Sequence, residues 1–494
     1  MRVPAYARLI APRAHKHHAL FSVYGSERGH KYGLVDAVHK TFHGLRRGNL
    51  EFQDGLVVLA SRQYASWLQD NEFMAALIDP FKGRRPPSKK KDCPRPQLDV
   101  LAAAVDGLHP PHAMGDTPHG FSFFYGPARL IMPNLWQDDG QPKPLRESKL
   151  QEAITFKFET PSSLNRLHCT MPLANTIFQN GLRSTMVASR WYRPTPRGAL
   201  KPLSIKEKQS QDVAYFPTRS SLETYVESPI VPITVPRKIV AGLGNIVSQI
   251  EVGGHEMPAS AELETAVGEL YTRRAKEGHE FPPGPVGVWA IVVPPGRFQN
   301  EDLELLKDWT GDLSRIRTAY DEWGQALAFK DLVHQLLRNG SRVYKILSGG
   351  GGWGKKQGLL SLDPETTYSA SSEEEDLESF IRSFESRHNG GDQQGVVSPG
   401  SWIQYFVSPP MSARPNPPRP YGATMSIALG VSGSATSEEP PSIEGTSEWK
   451  VVPEHFGAVS DHGLFLKHDV RGLVSQSKLN VPGSWVGSLK VFNP

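Results

Sequence analysis

Cysteine is the scarcest useful residue in this chain: only Cys93 and Cys169 occur in 494 positions. Two thiols exclude a disulfide framework and any cysteine-rich zinc or iron–sulfur centre, and they fit a reduced compartment. No apolar run approaches the roughly 18–20 residues needed to cross a bilayer. The longest, Val286–Pro295, has the length of a strand. Recognisable nucleophile signatures are missing too: there is no GxSxG elbow and no cysteine in a local catalytic pattern. Cys169, in the apolar stretch LHCTMPLAN, reads as a buried small hydrophobe. The 17 histidines offer little to a metal. His15, His17 and His18 sit in a basic arm, and His109 and His112 flank two prolines, neither set with carboxylates at matching spacing. No metal, cofactor, catalytic residue or small-molecule substrate is therefore expected.

Acids are absent from the first 26 residues, which carry Arg2, Arg8, Arg13 and Lys16 before Glu27. That pattern reads as a mitochondrial transit peptide and points to the matrix. Pro4 and Pro12 limit an amphipathic helix, so a basic arm on a cytoplasmic protein is the alternative. The wider charge distribution is uneven. Residues 1–210 hold 30 Lys and Arg against 17 Asp and Glu, a net of +13, whereas the remainder carries −9. A basic half suggests a surface for a polyanion.

Three groups of residues could form such a surface. Residues 82–96 contain seven Lys or Arg and four prolines, with Lys89, Lys90 and Lys91 consecutive; a solvated spacer and a phosphate contact fit them equally. Arg190, Trp191, Tyr192 and Arg193 interleave cations with aromatic rings that could stack on unpaired bases. The third group is the run Gly349, Gly350, Gly351, Gly352, Trp353, Gly354, Lys355, Lys356. Consecutive glycines cost backbone entropy and suggest a close approach of the main chain to something.

The glycine run satisfies GxxxxGK, the start of a phosphate-binding loop. That loop also needs Ser or Thr next, to hold magnesium, and a following helix whose N-terminus faces the anion. Lys356 stands in the magnesium position, and Gly358 and Pro364 leave little room for a helix. Leu359, Leu360 and Leu362 read instead as a short strand, so a hairpin or docking loop is the better reading. Gly242-Leu243-Gly244 lacks the third glycine of a dinucleotide fingerprint and lies in a helix-like apolar pattern, where close helix packing is the simpler account.

Length and patterning indicate an α+β protein with a helical N-terminal region and a mixed or antiparallel sheet with helices in the C-terminal half. Residues 1–33 form the transit segment or arm, 34–80 a helical segment, and 81–150 a basic, proline-rich linker and irregular region. Residues 151–365 form an α+β core carrying the glycine-rich loop 349–358. Residues 366–494 are strand-rich, with flexible loops at 369–376, 409–420 and 432–447. Leu98–Val105 reads as a short helix. Ile239, Leu243, Ile246, Val247 and Ile250 follow helical spacing, and Ala259–Ala275 forms a second helix with Ser260 as its N-cap. Ile154–Phe158, Val286–Val293, Val343–Leu347, Trp402–Val407, Met425–Leu429 and Trp485–Phe492 read as strands.

PLANTIFQNG (172–181) with STMVASRW (184–191), PRKIVAGLGNI (236–246) with PASAELE (258–264), and YKILSGGGGWGKKQGLLSLDP (344–364) resemble a family peculiar to filamentous fungi. That family is associated with the small subunit of the mitochondrial ribosome. The resemblance spans roughly residues 154–365 and implies a non-catalytic part in mitochondrial translation, with no active site to carry over. The expected function is an RNA-associated structural component meeting mitochondrial ribosomal RNA and ribosomal proteins. The alternatives are an assembly or translational-activation factor, and an enzyme holding a phosphate-bearing ligand at Gly349–Lys356.

Overall fold

The structure is a computed structural model that describes residues 18–25, 30–47, 53–81, 97–111, 117–137, 152–159, 165–195, 198–216, 224–277, 287–329, 331–349, 358–368, 397–410, 423–433, 449–470 and 473–491. Among these, strands outweigh helices, 43% to 27%. The expected division into a helical N-terminal region and a sheet with helices in the C-terminal half is corrected: every part of the chain contributes strands, and the architecture is mostly β.

A seven-stranded sheet forms the first layer, in the order β20-β1-β4-β2-β3-β7-β8. Its strands are β1 (Ala19–Tyr24), β2 (Gly55–Ser61), β3 (Gln97–Val105), β4 (Gly120–Gly126), β7 (Met186–Tyr192), β8 (Lys201–Glu207) and β20 (Lys450–Pro453). Only β2 and β3 run parallel. Helices α1 (Lys31–Arg47), α2 (Ala65–Leu68) and α3 (Asn71–Ile78) cover one face. There Phe21, Val58, Val100, Phe121, Phe123, Tyr125 and Trp191 meet Leu34, Val38, Phe42, Phe73 and Leu77. Each such side chain contributes about 1.5–3 kcal/mol over its exposed state.

The opposite face presents Leu20, Val57, Leu59, Leu101, Ala103 and Phe124 to two further sheets. One is β10 (Thr224–Glu227), β24 (Trp485–Val491), β19 (Ala423–Val431) and β21 (Phe456–Ser460); the other is β23 (Leu473–Leu479), β22 (Leu464–Val470), β6 (Asn165–Pro172), β5 (Ala153–Glu159) and β9 (Ser210–Tyr215). Cys169 lies in this core without exposure. Because the first sheet is covered on both faces, β3 is buried on both faces from Val100 to Val105 and is a continuous apolar run there. That is why Leu98–Val105 reads as a helix in sequence and forms a strand. The expected helical segment 34–80 is likewise interrupted by β2, which is wholly buried. Within the expected arm, β1 pairs on both sides, with β4 and β20. A removable leader would therefore have to end before Ala19.

The remaining strands close a six-stranded barrel. β12 (Arg237–Leu243), β13 (Ile246–Val252), β17 (Leu360–Leu362), β16 (Arg342–Gly349), β15 (Val288–Val293) and β18 (Trp402–Val407) pair in a ring, all antiparallel. β11 (Val231–Pro232) and β14 (His255–Pro258) extend it. So small a barrel is filled by its own side chains: Ile239, Val247, Ile250, Val292, Tyr344, Leu360 and Tyr405 share its core with Ala259 and Leu263 of α6 (Ala259–Lys276). The helix expected across Ile239–Ile250 is a β-hairpin. Gly244 takes the left-handed conformation at its turn (φ 64°), so the Gly-Leu-Gly triplet serves a turn and not helix packing. Ser260 is not the N-cap of α6: Pro258 holds that position, and the Ser260 hydroxyl donates to Glu264. Short helices α4 (Ala128–Ile131) and α5 (Ile177–Asn180), with α7 (Gln299–Thr310), α8 (Ala319–Ala328) and α9 (Leu332–Asn339), complete the chain. No helix among the described residues is long and apolar enough to cross a membrane.

Candidate nucleic-acid interface

Of the cationic groups singled out in sequence, Arg190 to Arg193 lies beside the amino end of β3. α1 and α3 run side by side toward this end, Lys31 Nζ bonding Asp70 at 2.5 Å where both helices start, at the far end, and the His39 ring meeting Ala76 O at 2.9 Å nearer to it. Further along, Phe42 packs on Phe81 with ring centroids 4.6 Å apart. The last turn of α1, which ends in Arg46-Arg47, follows one turn beyond Phe42. Phe81 is 1% exposed and is where the described chain stops before residues 82–96. It resumes at Gln97, the first residue of β3, which pairs with Tyr192; Tyr192 pairs in turn with Lys201 of β8.

Arg193 joins the two roots. Its guanidinium donates to the Asp79 carboxylate at 2.6 Å and to the Asp79 and Gly198 carbonyls. Arg190, on β7, makes a two-pronged bond to Asp99 at 2.6 and 2.9 Å and lies over the Trp136 ring at 4.6 Å. Hydrogen bonding to Asp99 holds its guanidinium charged to still higher pH than usual. On the edge strand, Lys201, Leu203 and Ile205 are exposed, and Lys206 and Lys208 both donate to the Gln137 carbonyl.

Two expectations change. Trp191 is 1% exposed within the core and donates its indole N–H to Ser189 Oγ at 2.8 Å, so it has no free face to stack on a base. Arg190 and Arg193 are held by acids, which makes them organisers of the corner more than free phosphate ligands. Lys89, Lys90 and Lys91 lie outside the described residues, as do Gly350, Gly351, Gly352, Trp353, Gly354, Lys355 and Lys356. Gly349 ends β16 opposite Leu360 of β17, the antiparallel pairing of a hairpin. Gly358 adopts φ 87°, and a Cβ there would come within 2.8 Å of Pro258. A strand therefore follows the glycine run where a phosphate-binding loop needs a helix N-terminus.

Sequence reasoning missed the opposite end of β3. Arg62, Asp106 and Asp461 come together there from positions 399 residues apart, with no motif to announce them. Beside them is a loop held by its own polar groups: Thr176 bonds Leu182 O and Thr185, and Asn180 bonds Thr185 and Gln69. Gly181 closes α5 at φ 78°. That rigid loop presents Ile177 (50% exposed) and Phe178 (95%) to solvent. The Asn180-Gly181 pair was its only sequence signal. Among the described residues no group of three or more His, Cys, Asp or Glu could hold a metal.

Comparison with protein-family models, curated proteins and solved structures finds no match.

Proposed function

We propose that this chain is a non-catalytic, RNA-associated structural component of the mitochondrial translation machinery, of the small-ribosomal-subunit type. RNA backbone meets it at the corner formed by Tyr192, Arg193 and Lys201. The observation that carries the reading is the common root of the basic segment. Residues 82–96, seven cations against one acid, join Phe81, beside the Arg193–Asp79 pair, to Gln97, opposite Tyr192. Lys and Arg side chains neutralise phosphates and release counterions, the main source of affinity in such contacts. The +13 balance of residues 1–210 and the resemblance of the three sequence segments support the same reading.

In a sucrose gradient of mitochondrial lysate at low salt, the chain should travel with the small ribosomal subunit and come off as KCl rises. The triple replacement Lys89→Glu, Lys90→Glu, Lys91→Glu should weaken retention most at low salt while leaving the melting temperature unchanged. A chain that stays at the top of the gradient at low salt overturns the reading.

A further inference from the structure

At the carboxyl ends of the parallel pair β2 and β3, two carboxylates share one arginine. Asp106 follows β3 and its side chain is only 4% exposed. One of its oxygens accepts the backbone N–H of Asp461 at 2.9 Å, and the other lies 3.9 Å from Arg62 Nη1. Arg62 follows β2, is half exposed, and also reaches the Asp461 carboxylate at 3.5 Å. Asp461 sits in the turn between β21 and β22, 41% exposed. Arg62 and Asp461 are the charged groups acting on Asp106.

We propose that Asp106, Asp461 and Arg62 form a proton-operated latch: the proton on Asp106 keeps the β21–β22 turn closed over the end of β3, and its loss loosens the turn. A buried carboxyl is costly to ionise, and a second carboxylate beside it raises that cost, while the Asp461 N–H and one arginine at 3.9 Å offset only part of it. Burial first, then Asp461, push Asp106 up to about 7, so the latch works near neutrality. The ionised carboxylate gains most by meeting water, and the exposed Asp461 turn is the element that can yield to admit it. The 62–64 turn bearing Arg62 packs against α5. The latch thus adjoins the surface that displays Ile177 and Phe178.

Asp106 binds its proton more tightly folded than unfolded, where its ordinary value is 3.8. Its contribution is therefore complete at low pH and falls as pH rises from about 4 through 7. Hydrogen exchange of the full chain, read by mass spectrometry over residues 455–466 and corrected for intrinsic rates, tests this. Protection should fall by up to tenfold per pH unit between about pH 4 and 7, the limit for loss of one proton, and level off above. Asp106→Asn should abolish that fall, and Asp461→Asn should move its midpoint to lower pH, since the like charge is gone. A midpoint that stays put in Asp461→Asn, or a fall that persists in Asp106→Asn, overturns the latch. Should Asp106→Asn not fold, the Asp461→Asn midpoint alone decides.

Discussion

The two ends of β3 treat charge in opposite ways. At the amino end acids and bases meet one to one: Arg190 with Asp99, and Arg193 with Asp79. At the carboxyl end Asp106 and Asp461 must share Arg62. Matched pairs near solvent respond to salt. An unmatched carboxylate in a buried position responds to protons instead. Stoichiometry, more than the number of charges, decides which solution variable each end senses. The same strand therefore separates the corner proposed to meet a polyanion from the edge proposed to sense protons.

Acid should give the largest effect, and it belongs to the carboxyl side of this contrast. Three residues after Asp106, the His109 ring packs where Gly430 and Gly457 leave room for it, and burial brings its basicity down to about 3. His334 of α9 and His468 of β22, with ring centroids 6.0 Å apart, are brought down by burial to about 4 and about 3. Each is neutral in the fold and takes up a proton on unfolding. Their contribution is complete above about 6.5 and is lost as pH falls toward 4, by up to about 1.4 kcal/mol per pH unit for each ring. Urea titrations should show stability dropping steeply below pH 6, opposite in sign to the Asp106 effect. A flat profile between pH 6.5 and 4.5 would mean that the rings are hydrated.

Next in size is Trp191→Ala, which separates the core of the basic corner from its surface. Emptying a site that is 1% exposed should cost about 3–5 kcal/mol and lower the melting temperature sharply. A melting temperature within a degree or two of the parent chain would put Trp191 on the surface and restore it as a stacking platform.

What sequence could reveal follows from how each element is covered. β5 alternates buried and half-buried residues along AITFKFE, and β15 and β18 are short, largely apolar runs with Gly before and Pro after them within two residues, so they read directly as strands. β3 is covered on both faces, and its apolar run carries no period by which to tell strand from helix. The β12–β13 hairpin misleads for another reason. A register shift between Ile239 and Ala241 and the Gly244 turn place Ile239, Val247 and Ile250 inward at intervals that imitate 3.6. The candidate site was legible as composition but not as geometry. Arg190 through Arg193 stood out as cations among aromatics, yet nothing local announced that Asp99 and Asp79 would claim two of them. Arg62, Asp106 and Asp461 are single polar residues at strand ends, brought together only by the pairing of the sheets.

The smallest effect should come from Arg193→Ala, which breaks one matched pair. Arg193 is about one-fifth exposed and Asp79 about two-fifths, so water solvates whichever partner remains, and the loss should be no more than about 1 kcal/mol. That loss should shrink further between 50 and 500 mM KCl, because the screening length falls severalfold over that range. The contrast with Asp106 then becomes quantitative: a chain lacking Arg193 should show a salt-dependent deficit and an unaltered latch midpoint. A deficit of several kcal/mol, independent of salt, would mean that the Arg193–Asp79 pair is desolvated. The amino end of β3 would then be part of the core, and of the three corner residues Lys201 alone would offer a solvated charge to a phosphate.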